Sequence, residues 1–272
     1  SKFQHFHNYF IPAKPPLYIS GNYRSHESIV NLGNKVMKGL GTQAVAKNSS
    51  TGNIFKGFLS DFKPTLIERK RHSGDFITPA VLRLIDKLIN DNKSIVLLCR
   101  TNNIPWYIDY NKEKRIKGRG LQRYLELLRS FFSKDLQDRI SISTVHRYKG
   151  LQKSAVIVLD AKNGRYPFLH PTWVFNQILG ETQEKIINEE RRLFYVALTR
   201  AKNLLFILAE ESDETPFIQN IEFNSVNWNE YPPIKVDNNL FVVKIGNQKG
   251  KGKNPTIQIR EFLKANSYIW EP

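Results

Sequence analysis

Two short runs, Ile95–Cys99 (IVLLC) and Ala155–Asp160 (AVIVLD), constrain the fold more than any other feature of the chain. Each is continuously apolar, the second up to its closing Asp160, with no polar alternation, and is too short for a helix. A strand apolar on both sides needs cover on both faces, as in a parallel sheet layered by helices. Segments of helical period surround these runs. Ser25–Leu40 carries Ile29, Leu32, Val36 and Leu40, with Ser25 placed to cap and Glu27 early. Pro79–Asn90 points Val81, Leu84, Ile85, Leu88 and Ile89 inward, and Leu121–Phe132 is a further helix. Leu17–Ile19, Ile54–Leu59, Ile140–Val145 and Asn203–Ala209 read as strands. Strands alternating with helices predict an α/β fold with a mainly parallel sheet.

The stretch Asn188–Lys202 (NEERRLFYVALTRAK) is the most unusual helix. At about 100° per residue, Ile186, Ile187, Leu193, Phe194, Ala197, Leu198 and Ala201 share one face. Arg192, Tyr195 and Thr199 lie opposite. Glu190 falls in the middle of the apolar stripe, and Arg200 at its rim near the helix end. A carboxylate aimed into a core needs a partner, and an arginine held at its edge must be aimed at something. Adjacent Arg191 and Arg192 are expected to divide between an ion pair and solvent.

Size alone allows one large domain or two smaller ones in 272 residues. The charge is uneven. Residues 211–272 hold 7 Lys+Arg and 8 Asp+Glu, leaving 34 and 17 in residues 1–210, a balance of +17. That suits a polyanion such as nucleic acid, although an unspecific basic surface has the same balance. The single cysteine, Cys99, excludes an intrachain disulfide framework and fits a reducing, cytoplasmic setting. No segment approaches the ~20 apolar residues of a membrane span, so no membrane association is expected. After Ala209 the pattern becomes irregular. Residues 211–272 read as a linker and a small α+β appendage, with a strand at Leu240–Ile245, a Gly/Lys turn at Asn247–Asn254 and a helix near Ile257–Ala265.

No Cys/His cluster has zinc spacing, so no metal site is expected, and no GxxxxGK[ST] phosphate loop occurs. What does occur is an ordered set of four stretches. They are NYRS (22–25), CRTN (99–102), TVH…KGLQ (144–152) and Glu189–Lys202. Three of the four sit at a strand's carboxyl end or in the turn after it, the edge of a parallel sheet where ligands bind.

In this order, NYRSH, LLCRTN, STVHRYKGLQ and EERRLFYVALTRAK resemble motifs IV, IVa, V and VI of UvrD/Rep-like superfamily 1 DNA helicases. The wording from Ile140 to Leu208 is most similar to the helicase IV branch. The resemblance covers residues 3–210 and implies a RecA-like domain 2A, a three-layer sandwich. It would be the C-terminal motor domain of an ATP-dependent 3′→5′ DNA helicase. Its partners would be single-stranded DNA and an N-terminal domain 1A in cis, with ATP as cofactor and Mg2+ held by that missing domain. Residue by residue, it implies that Arg24 and Arg200 reach the γ-phosphate and that Tyr23 stacks on adenine. Gln152 stands where many relatives place a ribose-binding Glu. Arg100, Asn102 and His146 match DNA contacts, with Thr144 and Lys149 beside them. The chain alone lacks the phosphate loop and is expected to be inactive as an ATPase. Only residues 103–139 separate motifs IVa and V, so the helical 2B insertion of many relatives is absent or minimal.

Taken singly, these residues have plainer readings. Arg24 is then a surface arginine at a helix start, Tyr23 a packing residue, Arg100 the partner of a nearby acid, and His146 a surface or core histidine. A non-enzymatic nucleic-acid-binding or regulatory module that keeps the 2A fold is the alternative function.

Overall fold

The computed structural model describes residues 20–72, 75, 77–102, 120–170, 182–234 and 260–265. The expected strands at 17–19 and 240–245, the turn at 247–254 and most of the loop at 111–120 lie outside them. The chain forms two compact units, 1–234 and 235–272. In order, the first contains β1 (Gly21–Asn22), α1 (Glu27–Val36), β2 (Val45–Ala46), β3 (Asn53–Phe58), α2 (Leu66–Arg71), α3 (Ile77–Asn90) and β4 (Ile95–Cys99). It continues with α4 (Gly120–Arg129), α5 (Lys134–Gln137), β5 (Ile140–Thr144), β6 (Lys153–Val158), α6 (Gln183–Leu198), β7 (Ala201–Ala209) and β8 (Asn224–Ser225). Helix α7 (Arg260–Ala265) belongs to the second unit. No helix among the described residues is long and apolar enough to cross a membrane.

The main sheet has the order β5-β4-β6-β7-β3-β8 and every pairing in it is parallel. The two-residue side-chain period of a strand sends alternate residues to opposite faces. Ile95, Leu97 and Cys99, with Ala155, Ile157, Phe206 and Leu208, pack against α3 and α4. Val96, Leu98, Val156, Val158, Leu205 and Ile207 pack against α1 and α6. Both faces are therefore covered, and the first unit is the three-layer α/β sandwich expected from its apolar runs. Burying each of these Val, Leu and Ile side chains contributes about 1.5–3 kcal/mol, which is why the inner parts of the central strands, Ile95–Cys99, Ala155–Val158 and Leu204–Ala209, carry no polar residue.

Several boundaries differ from the sequence reading. Ser25 does not cap α1. The N-cap is His26, without a side-chain cap bond, and the buried Ser25 hydroxyl donates instead to Thr199 O at 3.4 Å. Helix α3 begins before Pro79, because Asp75 Oδ1 accepts from the N–H groups of Ile77 and Thr78 at 2.9 Å each. Proline then sits in the first turn, where no N–H is needed. Helix α6 ends at Leu198, and Ala201 and Lys202 already belong to β7. Arg200 thus lies in the turn between them.

The larger correction concerns residues 211–234, placed by sequence in the linker. Phe217 and Ile218 are buried in the core beside Phe194, and Val226 and Tyr231 in the core on the other face. Trp228 meets Phe62 edge-on at 5.0 Å, and the Arg83 guanidinium donates to Tyr231 O at 3.1 Å. This segment has no helical or strand period because its apolar residues project from irregular backbone, yet it completes the first unit.

Candidate functional site

The strand register divides the candidate residues between two opposite edges of the sheet. The beginnings of β3, β6 and β7 define the amino edge, where Lys153 pairs with Ala201 and Asn53 with Leu204. Arg200 and Gln152 each stand one residue before a strand here, and Lys153 N donates to Arg200 O at 3.1 Å. The 22–26 segment docks on the same edge, with His26 N donating to Lys202 O at 3.1 Å. Tyr23, Arg24, Gln152 and Arg200 are therefore at the amino edge. The carboxyl edge inferred for most of the four stretches holds only the other set.

At the amino edge, α6 leaves its last carbonyls without helical partners. Arg200 uses one of them, its Nε donating to Val196 O at 3.0 Å, and Nη1 donates to Leu151 O at 3.2 Å. A cation also suits the negative pole of a helix C-terminus. Yet Arg200 is only 9% exposed, and no acid among the described residues pairs with it or with Arg24. Burial, and then the neighbouring charge of Arg24, lowers the Arg200 pKa below its ordinary value. Arg200 thus feels the like charge of Arg24, and no acid among the described residues pairs with either. The Asn22 side chain builds the turn that carries Arg24, accepting from the N–H groups of Arg24 (2.9 Å) and Ser25 (3.0 Å). Tyr23 on that turn is 78% exposed. Gln152 is exposed as well. Close packing fixes this arrangement: a Cβ on Gly33 of α1 would meet the Tyr195 ring of α6 at 2.7 Å.

At the carboxyl edge, Glu190 is the organising residue. Its carboxylate accepts two bonds from Arg100, from Nε at 2.8 Å and Nη2 at 2.6 Å, and one from Phe168 N at 3.1 Å. The acid in the apolar stripe of α6 has found the partner it requires. Arg100 stacks over the Phe168 ring at 5.1 Å, and its N–H lies 3.0 and 3.2 Å from the Asp160 oxygens. Asp160 is 4% exposed, and burial pushes its pKa up to about 6. Burial also raises the Cys99 thiol, an inert group in the core.

Two residues expected to contact DNA have partners within the chain. Arg100 is committed to Glu190, so the reading in which it pairs with an acid describes its side chain better. Thr144 is 6% exposed, and its hydroxyl accepts from Arg147 N at 3.4 Å, closing the turn after β5 instead of facing outward. Asn102, His146 and Lys149 are exposed at this edge. Burial, with the charges of Arg100 and Lys149, holds the His146 imidazole below its ordinary pKa, and Glu190 opposes them. Arg192 forms a surface pair with Glu189, and Arg191 lies over the Phe217 ring at 5.6 Å.

Asp160, Phe168 and the Ser25 bridge were missed from sequence. Asp160 had a signal, an acid ending a continuous apolar run; the other two had none. No cluster of three or more potential metal ligands exists among the described residues.

Residues 121–212 match the family described as the UvrD-like helicase C-terminal domain. The chain is 28% identical over 208 residues to a "Probable DNA helicase II homolog" of Mycoplasma genitalium, covering 71% of the chain and 28% of that relative. It is 35% identical over 82 residues to the protein of the same name in Mycoplasma capricolum, covering 30% and 10%. To the ATP-dependent DNA helicase PcrA of Staphylococcus epidermidis it is 24% identical over 127 residues, covering 44% and 16%. The chain thus spans less than a third of the length of these relatives. A solved structure described as the C-terminal domain of a possible DNA helicase from Lactobacillus plantarum overlaps 75% of the chain and 98% of its own length, at TM-score 0.40 and 13% identity. The likeness to UvrD/Rep-type superfamily 1 helicases drawn from the four stretches is borne out, and the matched range contains two of them.

Proposed function

We propose that residues 1–234 act as the second motor domain of an ATP-dependent 3′→5′ DNA helicase, completing a nucleotide site whose other wall belongs to a preceding domain. The observation that carries this reading is the pair Arg24 and Arg200, neither of which an acid among the described residues neutralises, with the exposed Tyr23 next to Arg24 in the chain. Two cations without a counter-charge fit a polyphosphate, and the exposed ring fits a base. Arg200, held by two carbonyls, is pre-aimed, so it loses little freedom when the terminal phosphate arrives, and its charge stabilises the transferred phosphoryl group. Arg24, on its short turn, is the second cation. Gln152 offers an amide to a ribose hydroxyl. The phosphate loop and the Mg2+ ligands are assigned to the preceding domain, and the isolated chain is expected to bind ATP weakly and not to hydrolyse it.

Asn102, His146 and Lys149 form the face offered to single-stranded DNA at the carboxyl edge. Closure of the two domains on ATP and reopening after hydrolysis would move the strand. The 3′→5′ direction belongs to the resemblance, and a cytoplasmic setting to the single cysteine, rather than to the geometry.

The test joins the chain to the domain preceding it and measures ATP hydrolysis with and without single-stranded DNA. The wild type is expected to be stimulated by DNA, and Arg200→Ala to lower hydrolysis by about 10³-fold or more. Undiminished hydrolysis in Arg200→Ala removes that residue from the phosphate. The non-enzymatic alternative predicts that the wild type hydrolyses nothing.

A further inference from the structure

The amino and carboxyl edges are joined by one rigid element. Helix α6 carries Glu190 near the carboxyl edge, and eight residues later, at Leu198, it ends beside Arg200. At 1.5 Å per residue, about 12 Å of helix separates Glu190 from that end. Glu190 is not exposed to either proposed ligand. It nevertheless gathers three other segments of the carboxyl edge. It grips Arg100 after β4 through two bonds, it fixes the Phe168 backbone, and its charge is felt by His146 after β5. Arg100 lies two residues before the exposed Asn102. The geometry points to Glu190 as a positioning residue. Acting through Arg100, it sets the spacing of Asn102, His146 and Lys149 and registers that face against the helix that ends at Arg200. A buried ion pair adds little net stability compared with an apolar pair of similar volume. Its directional, bidentate geometry does fix where the 100–102 turn sits relative to α6.

The inference rests on the helicase reading, and the test separates the two. Glu190→Gln keeps the size of the side chain and an acceptor for Phe168 N, but gives up the charge that orients Arg100. In the protein joined to its preceding domain, Glu190→Gln is expected to raise the DNA concentration for half-maximal stimulation about tenfold. Turnover at saturating DNA should stay within about twofold, since no group on the nucleotide is lost. The double variant Glu190→Gln/Arg100→Gln is expected to match Glu190→Gln alone, because both act through one contact. Two results overturn the inference: an unchanged half-maximal DNA concentration, or basal and saturated turnover that fall by one common factor, as general loosening would produce. Wild-type hydrolysis that ignores DNA overturns the helicase reading itself, and with it the role assigned to Glu190.

Discussion

Replacing Asp160 with Asn is expected to stabilise the protein at neutral pH and to have little effect near pH 4. The carboxyl is 4% exposed at the end of the apolar run following Lys153. It faces the backbone N–H of Arg100, the cations of Arg100 and Arg165, and the neutral Cys99 and Tyr166. Burial outweighs the hydrogen bonds and the cations, and the pKa rises from 3.8 to about 6. As pH climbs through about 4, the unfolded carboxyl releases its proton while the folded one keeps it until about pH 6. Folding therefore takes up a proton in this window, and stability falls as pH rises. A shift of about two units corresponds to roughly 3 kcal/mol, lost between about pH 4 and 6 and constant above. The amide introduced by Asp160→Asn does not titrate, so the stability of the variant relative to the wild type should grow by about 3 kcal/mol over that range. Urea unfolding of both proteins at several pH values measures it, and the common titration of other carboxylates and histidines cancels in the difference. A difference that is flat with pH, or that shrinks as pH rises, would refute the assignment of a raised pKa to this group.

Three further outcomes follow from the packing. Glu68 and Arg83, 8% and 7% exposed, form a buried pair that also closes the Thr65 capping box, so Glu68→Ala is expected to cost about 3–5 kcal/mol in urea unfolding. Gly33→Ala pushes a methyl group into the Tyr195 ring and should cost about 1–3 kcal/mol, read as a lowered melting temperature; no change would show that α1 and α6 separate easily. Trp228→Ala is expected to lose about 3 kcal/mol, because the ring bridges Phe62 and Tyr231. An unaffected melting curve for that variant would return residues 211–234 to the status of a linker.

What could be read from the sequence and what could not divide along physical lines. The central strands were legible because burial on both faces leaves their inner stretches, such as Ile95–Cys99 and Ala155–Val158, without a polar residue, and the amphipathic helices because their apolar period survives in isolation. Glu190 was legible as a problem, a charge in an apolar stripe. Its solution was not, since Arg100 lies 90 positions away and only the sheet brings the two together. Residues 211–234 had no period to detect, as their contacts exist only once α3 and the sheet are assembled. The internal partners of Thr144 and Arg100 were not legible either, since a place in a motif carries no information about which way a side chain turns. The Thr65–Glu68 capping box has a recognisable Thr-x-x-Glu pattern and went unread.

The register also changes what the order of the four stretches means. Their succession along the chain suggests a single ligand edge, yet the parallel strands return the chain to the amino edge before β6 and again before β7. Motif residues close in sequence are thereby split: His146 stays at the carboxyl edge while Gln152, six positions later, reaches the amino edge. Helix α6 runs the other way, from the Glu190 cluster to Arg200. A change at the carboxyl edge can reach Arg24 and Arg200 along this helix without passing through the strands. Such a route needs rigidity, and the Gly33–Tyr195 contact and the Ser25–Thr199 bond supply it at the amino end. Loosening either of these contacts should therefore disturb Arg24 and Arg200 together, whereas loosening Glu190 should first disturb Asn102 and His146.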